Sequence, residues 1–183
     1  CTIFVRRVLM PIRNLDKIFS PRSIVVIGAS ERTGSVGATV MQNLRDGGYD
    51  GKVFAVNPKY SQISAMQCYA SVNEMTEAVD LAIVCTPAST VPEIVRQCVE
   101  SGILGLIILS AGFREASQFG ESLEAEVRAI AAQFNGLRIV GPNCLGLMAP
   151  HISLNASFAS DSAPKGRVAF ISQSGALCTA VLD

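Results

Sequence analysis

A glycine-rich turn stands directly after the first apolar run of the chain. The run at 23–27 leads into residues 28–37, whose glycines are spaced G-x5-G-x2-G. This spacing differs from the G-x-G-x-x-G of dinucleotide-binding proteins. A turn of this kind before a helix still directs backbone N–H groups and the positive end of the helix dipole at an anion. Ser30, Thr33 and Ser35 can add hydroxyl donors and Arg32 a positive charge, although a purely structural turn is the alternative interpretation.

The end of the second apolar run bears on which nucleotide could bind. NAD-binding proteins place Asp or Glu at this point, where it holds the ribose hydroxyls. Here the run at 52–56 is followed by Asn57, Pro58 and Lys59. A cation in place of an acid suits a ribose phosphate, such as that of NADP or coenzyme A (CoA). A solvated surface lysine is the alternative for Lys59.

Charge is distributed unevenly along the chain. Residues 1–59 contain nine Lys or Arg and four Asp or Glu, whereas residues 60–126 contain two Arg and nine acids. The basic part includes both the glycine-rich turn and Lys59. This asymmetry favours a polyanionic ligand at that end of the sheet.

Three later strand ends carry small or turn-forming residues. They read T-P-A-S at 86–89, S-A-G-F at 110–113 and G-P-N-C-L-G at 141–146. In an open α/β sheet, ligands bind beyond the carboxyl ends of the strands. Small residues at several such ends leave room for a long, thin ligand.

The elements that must position these residues alternate regularly. Short apolar runs predict strands at 23–27, 52–56, 80–85, 105–109 and 137–140, and helical patterns separate them at 36–44, 87–100 and 120–134. Strands that are apolar on both faces and are separated by helices indicate a parallel sheet covered on both sides. The predicted fold class is therefore α/β, a Rossmann-like parallel sheet with helices on both faces.

The same pattern predicts the domain organisation. We interpret residues 1–14 as an N-terminal extension and 15–146 as the Rossmann-like domain. Residues 147–165, rich in Ser, Asn, Ala and Pro, are expected to form an irregular connection that wraps an edge of the sheet. Residues 166–183 are expected to begin a second, flavodoxin-like α/β domain, with a strand at 167–171 and a helix from 174. Because this unit stops within its helix, we expect the chain to be a fragment of a longer protein.

Composition excludes several classes of protein. Hydrophobic residues make up 49% and charged residues 16%, which excludes intrinsic disorder. Fifteen Lys or Arg balance fifteen Asp or Glu, so net charge does not recruit nucleic acid or an acidic membrane. No apolar run is long enough for a membrane span. Six Cys without any C-x-x-C pair fit neither a zinc site nor a disulfide framework, so we expect no metal, and a reducing, cytoplasmic location.

Several motifs in order resemble one family. The stretch LDKIFSPRS at 15–23 leads into VVIGAS, and is followed by CTPAS, LSAGF, GPNCLG, LNASFA and, at 166–177, GRVAFISQSGAL. These are similar to NDP-forming acyl-CoA synthetases, in the part equivalent to the α subunit of succinyl-CoA synthetase. The resemblance covers residues 15–183. It implies a CoA-binding domain whose parent interconverts acyl-CoA, NDP and phosphate with acid, CoA and NTP.

The resemblance also implies a role for each matching position. The turn after the first strand would cradle CoA phosphates, and Lys59 would meet the ribose-phosphate end. Residues 86–88 would line the adenine and pantetheine path, and the last two turns would lie near the thiol arm. The implied CoA-binding residues are Ser30, Arg32, Thr33, Gly34, Ser35, Gly37, Asn57, Pro58, Lys59, Thr86, Pro87, Ala88, Ser110, Ala111, Gly112, Asn143 and Cys144. Ser172, Gln173, Ser174 and Gly175 match a helix start that receives a phosphohistidine, since free N–H groups and hydroxyls there suit a phosphoryl group.

No catalytic residue is expected within the chain itself. The family's phosphorylated histidine lies further into the second domain, and His151 is interpreted as a loop residue. Cys144 has no histidine suggested as its base, which argues against a nucleophile. Mg²⁺ and ATP or ADP would belong to the parent protein. Expected partners are CoA or acyl-CoA, a separate ATP-grasp domain or subunit, and further copies of the chain in a homo-oligomer.

Two alternatives remain open at the level of sequence. The same motifs occur in the CoA-synthetase-like regulatory half of GNAT-type protein lysine acetyltransferases, which lack the catalytic histidine. An NADP-dependent oxidoreductase or sensor domain is a third hypothesis, although no Tyr–Lys pair or other catalytic group follows the fold. A histidine in the second domain would favour a ligase as the parent protein. An acetyltransferase domain would favour a protein lysine acetyltransferase.

Overall fold

The computed structural model describes residues 13–182, and these form one seven-stranded sheet with a small second sheet beside it. The strand order is β3-β4-β2-β1-β5-β6-β7, and every neighbouring pair is parallel except β3 with β4. The central strand β1 therefore pairs with β2 on one side and β5 on the other. The bounds are β1 Ser23–Ile27, β2 Lys52–Val56, β3 Gln62–Ile63, β4 Met66–Tyr69, β5 Leu81–Val84, β6 Gly105–Ile108 and β7 Arg138–Val140.

Helices cover both faces of this sheet, and each face has its own apolar core. One core joins α3 and α4 to one side of the strands, and the other joins α1, α2 and the second sheet to the opposite side. Val25 and Val26 show the alternation, since each is fully buried and the two belong to opposite cores. The Rossmann-like α/β prediction is confirmed. The helices are α1 Asp16–Phe19, α2 Val36–Asp46, α3 Val91–Glu100, α4 Gln118–Gln133 and α5 Gly175–Leu182, with 3₁₀ turns at Val72–Glu74, Ala88–Thr90 and Pro150–Ile152.

The segment at 147–165 is not irregular, and that part of the prediction was wrong. It contains most of an antiparallel hairpin, formed by β8 Gly146–Ala149 and β9 Leu154–Ser157. The hairpin packs on α2, where Asn43 Nδ2 donates to the backbone oxygens of Ser157 and Ala159 at 2.9 Å each. These strands depend on cross-strand pairing and on a distant helix, neither of which leaves a periodic signal in four residues.

The strand expected at 167–171 is absent, and this is a second correction. Val168 and Ile171 are each 92% exposed, and no strand pairs with this stretch within the described residues. A β-strand needs a hydrogen-bonded neighbour, so apolar residues alone do not produce one. The helix expected after it is confirmed as α5. Its first turn is capped by Ser174, whose Oγ accepts from Leu177 N at 3.3 Å.

Candidate functional site

The turns after β1, β2, β5, β6 and β7 meet at the carboxyl edge of the sheet, because all five strands are parallel. Close approaches join four of these turns in sequence, and the fifth, after β2, is joined to the turn after β1 by a hydrogen bond from Asn57 Nδ2 to Ala29 O. A Cβ placed on Gly28 would lie 3.0 Å from Thr86 Cγ2, and one on Gly112 would lie 3.4 Å from Ala88 Cβ. Asn143 N donates to Ser110 O at 3.0 Å. The structure therefore brings the candidate residues of five separate turns into one continuous strip.

The glycine-rich turn is held against the start of α2 by a close backbone approach. A Cβ on Gly37 would lie 2.0 Å from the Gly28 carbonyl oxygen, so only glycine allows the helix to begin there. Gly28 itself has φ +88°, a left-handed conformation that glycine adopts without strain. The positive end of α2 consequently points at the same edge as the strand ends.

The hydroxyls of this turn are partly used within it. Ser35 caps α2: its Oγ accepts from Ala38 N at 3.3 Å and donates to Arg32 O at 2.7 Å. The hydroxyl proton of Ser35 is thus engaged, and its role in this conformation is to shape the turn. Ser30 Oγ accepts from Arg32 N at 3.0 Å and keeps its own proton for another acceptor. Arg32, Thr33 and Gly34 are exposed.

The turn after β2 is tied to the turn after β1. Asn57 Nδ2 donates to Ala29 O at 2.7 Å, and Asn57 Oδ1 accepts from Lys59 N at 3.0 Å. Both ends of this amide are therefore occupied by backbone groups. Pro58 and Lys59 are exposed, which places a cation at the solvent side of the strip.

The turns after β5 and β6 are stabilised by side chains that the sequence analysis did not single out. Thr90 Oγ1 lies 2.9 Å from Thr86 Oγ1 and 2.8 Å from Pro87 O. Glu115 Oε1 accepts from Gly112 N at 2.6 Å and from Phe113 N at 3.1 Å. The hydrogen bond from Gly112 N is the main reason that the pKa of the Glu115 carboxyl is lowered. The only sequence signal for this hydrogen bond is a glutamate three residues after a turn glycine.

Ser110 and Cys144 face into the protein rather than out of the strip. Ser110 is buried, and its Oγ donates to Val84 O at 3.4 Å. Cys144 Sγ lies 3.3 Å from Ile108 O. Burial raises the pKa of the Cys144 thiol to about 11 and that of Cys85 to about 12. Such thiols are protonated at neutral pH and are poor nucleophiles.

The candidate phosphate residues lie at the start of α5, close to the turn after β7. A Cβ on Gly175 would lie 3.9 Å from Leu145 Cβ, and Leu145 directly follows Cys144. Ser172 Oγ accepts from Ser174 N at 3.0 Å, and Gln173 is exposed. His151 is exposed at the far end of the β8–β9 hairpin, away from Gly146 and this strip.

A separate cavity lies at the opposite edge of the sheet, beside the amino ends of β5 and β6. Val72, Met75, Ser101 and Ile103 are among the residues that line it. Its only charged lining residue is Glu77, so it does not suit a polyanion. The strip at the carboxyl edge contains the cations Arg32 and Lys59, so it suits a polyanion.

Within residues 13–182, no group of three or more His, Cys, Asp or Glu side chains is arranged to hold a metal ion. None of the helices in this range is both long enough and apolar enough to cross a membrane.

The comparisons with known proteins agree with this geometry. The family model described as "CoA binding domain" matches residues 22–150. The chain is 46% identical over 169 residues to acetate–CoA ligase [ADP-forming] I of Archaeoglobus fulgidus, covering 92% of this chain and 24% of that protein. It is 44% identical over 164 residues to the α subunit of acetate–CoA ligase [ADP-forming] II of Pyrococcus furiosus, covering 89% of this chain and 35% of the subunit.

Solved structures give the same result. A crystal structure from Pyrococcus horikoshii OT3 superposes with a TM-score of 0.85 at 43% identity, covering 92% of this chain and 38% of that one. A dinucleotide-forming acetyl-coenzyme A synthetase of Ca. Korarchaeum cryptofilum, in complex with phosphate and ADP, gives 0.84 at 36% identity and covers 92% and 36%. The chain thus spans between about a quarter and two fifths of the length of these relatives. With its sheet order, its strip of turns and these similarities, it belongs to the CoA-binding domain family, in the form carried by NDP-forming acyl-CoA synthetases.

Proposed function

We propose that this chain holds CoA along the strip at the carboxyl edge, as the CoA-binding part of an NDP-forming acyl-CoA synthetase. The observation that carries the proposal is the close approach of successive turns, of Gly28 to Thr86 and of Ala88 to Gly112. A long ligand can follow such a strip from one end to the other. The parent would interconvert acyl-CoA, NDP and phosphate with acid, CoA and NTP.

The phosphate end of CoA fits the glycine-rich turn and Lys59. The start of α2 supplies backbone N–H groups, and Ser30, Arg32, Thr33 and Gly34 lie on the turn in front of it. The backbone of Lys59 is joined to that turn through Asn57 and Ala29, and we assign the Lys59 cation to a second phosphate of the same ligand. CoA carries both a pyrophosphate and a ribose phosphate, and this arrangement offers a place for each.

The thiol end fits the turns after β6 and β7. Thr86, Pro87 and Ala88 form the middle of the strip, and Gly112 and Asn143 continue it. Ser110 and Cys144 have side chains turned inward, so we assign them to the floor of the path rather than to direct hydrogen bonds with the ligand. Ala111 is exposed beside Gly112.

The start of α5 supports a phosphoryl-binding role for the parent reaction. Gly175 lies next to Leu145, at the proposed thiol end of the strip, and Ser172, Gln173 and Ser174 directly precede Gly175 in the chain. A phosphoryl group delivered there would meet N–H groups and hydroxyls at a helix N-terminus. We propose three further features for the parent protein. They are a histidine that carries the phosphoryl group, an ATP-grasp part with Mg²⁺ and ATP or ADP, and homo-oligomer formation. The relatives described above are ligases, which favours a ligase parent over a lysine acetyltransferase.

A thermal-shift comparison tests the choice of ligand. CoA at one hundred times its dissociation constant adds about 2.7 kcal/mol to the free energy of unfolding. For a chain of this size, that raises the melting temperature by about 5–10 °C. NAD at the same concentration should give no shift, because no acid follows β2 to hold its ribose. An equal or larger shift with NAD would overturn the proposal.

A further inference from the structure

The glycine-rich turn contains an acid, which is unexpected in a segment proposed to bind phosphates. Glu31 stands between Ser30 and Arg32 and is exposed. A carboxylate directed at the ligand would repel a polyanion. The Glu31 side chain must therefore point away from the ligand if the turn is to bind phosphate.

In the structure, the Glu31 carboxylate lies against the tip of the β3–β4 hairpin. Glu31 Oε1 accepts from Ser64 N at 2.7 Å. Ser64 and Ala65 form the two-residue turn between these strands, with φ of +50° and +63°. Two-residue turns of this conformation normally use Asn or Gly, because other residues are strained there. The hydrogen bond from Ser64 N stabilises a turn whose own residues do not favour it.

The same hairpin is attached to the segment that carries Lys59. Strand β4 pairs in parallel with β2, and Asn57 N donates to Tyr69 O at 2.9 Å. Lys59 lies on the short connection between β2 and β3. That connection is consequently joined to the glycine-rich turn twice, near its start through Asn57 and Ala29 and beyond its end through Ser64 and Glu31.

We propose that Glu31 is a positioning residue that fixes the glycine-rich turn relative to the β3–β4 hairpin, and so sets the separation between the Arg32 and Lys59 cations. The inference rests on the proposed CoA function. It assigns to Glu31 no contact with CoA: its carboxylate acts through Ser64. The pyrophosphate and the ribose phosphate of the ligand then meet two cations whose separation is set before binding, which lowers the ordering cost of binding.

Two substitutions separate this role from a simple effect of charge. Glu31→Gln removes the negative charge but keeps an oxygen that accepts from Ser64 N. Glu31→Ala removes both. If Glu31 acts only through its charge, the two variants bind CoA equally, and more tightly than the wild type. If it positions the turn, the Gln variant binds at least as tightly as the wild type, whereas the Ala variant binds about threefold or more weaker than the Gln variant.

Calorimetric titration with CoA at low and high salt measures this difference. The gap between the Gln and Ala variants should persist in high salt, since it arises from a hydrogen bond, whereas a charge effect is screened. Asp50→Ala is the matched control, because Asp50 is an exposed acid before β2 at the other edge of the sheet. It should leave CoA affinity unchanged. Equal affinities of the Gln and Ala variants would overturn the proposal.

Hydrogen exchange at the Ser64 amide provides a readout that needs no ligand. Exchange should be faster in the Ala variant than in the wild type and the Gln variant. Unchanged exchange in the Ala variant would overturn the positioning role by itself. Failure of the wild type to bind CoA would instead overturn the proposed function, and with it the effect on the ligand, while the exchange result still decides whether Glu31 holds the hairpin.

Discussion

Asn57 Nδ2 donates a hydrogen bond to the carbonyl oxygen of Ala29 at 2.7 Å, which joins the residue after β2 to the turn after β1. In dinucleotide-binding proteins, the residue at the end of the second strand faces the ligand and holds a ribose. Here the side chain is directed into the protein, and its Oδ1 also accepts from Lys59 N. The Asn57 side chain thus holds the two turns together.

Asn57→Asp tests this hydrogen bond. The substitution keeps the shape and the acceptor for Lys59 N but places a carboxylate oxygen against the Ala29 carbonyl. We expect a loss of about 1–2 kcal/mol in the free energy of unfolding at pH 7, measured by urea denaturation. Part of the loss should be recovered near pH 3, where a protonated Asp regains a donor. Unchanged stability at pH 7 would show that the Ala29 oxygen has another partner.

Lys59→Ala tests the assignment of the ribose phosphate. CoA affinity should fall by about tenfold, since an ion pair to a phosphate is lost, while dephospho-CoA affinity should change little. Calorimetric titration with both ligands measures the difference. Lys52→Ala is the matched control, because Lys52 is exposed at the amino end of β2. Equal losses for CoA and dephospho-CoA would place the ribose phosphate elsewhere.

Gly37→Ala tests the close approach between α2 and the glycine-rich turn. The new Cβ would lie 2.0 Å from the Gly28 oxygen, so the helix must move away from the turn. We expect destabilisation of about 2 kcal/mol and loss of most CoA binding. Gly166→Ala serves as the control, since nothing lies within 4 Å of a Cβ there. A Gly37 variant that is as stable as the control would contradict the described start of α2.

The ion pairs of Asp80 make the free energy of unfolding of this chain depend on pH. Burial raises the pKa of the Asp80 carboxyl, but hydrogen bonds from Lys17 Nζ at 2.5 Å and Arg22 N at 2.8 Å, together with the two cations, lower it below its usual 3.8. Its contribution is therefore present above about pH 4 and is lost as pH falls through the folded-state pKa. Asp80→Asn should destabilise the chain at pH 7 and much less at pH 3. A constant difference from pH 7 to pH 3 would show that this carboxyl keeps an ordinary pKa.

The apolar strands could be predicted because each one is a short, uninterrupted stretch of mostly apolar residues. Ser23–Ile27 and Lys52–Val56 match the sequence prediction residue for residue. The β3–β4 hairpin could not be found in this way, since its turn is Ser64–Ala65 rather than Asn-Gly and its first strand has two residues. The run at 167–171 gave the opposite error: it has the composition of a strand but no pairing partner among residues 13–182.

The meeting of the candidate turns at one edge of the sheet could also be predicted, although the hydrogen bonds of several of their side chains could not. That Thr86 lies near Gly28 follows from the rule that parallel strands end at one edge. The directions of Ser35, Asn57 and Glu31 depend on which backbone group each one meets, and those groups are distant in sequence or belong to the fold of the turn itself. Neither composition nor spacing specifies such partners.

A nuclear magnetic resonance titration of the ¹⁵N-labelled, 19.3 kDa chain with CoA shows whether the ligand lies along the strip. We predict shifts of backbone amides at 30–37, 110–112 and 143–144, and of those of Asn57, Lys59, Thr86 and Ala88, along the carboxyl edge. Val72, Met75 and Ile103, which line the cavity at the opposite edge, should not shift. Saturable shifts confined to that cavity, with the amides of the five turns unchanged, would contradict the account.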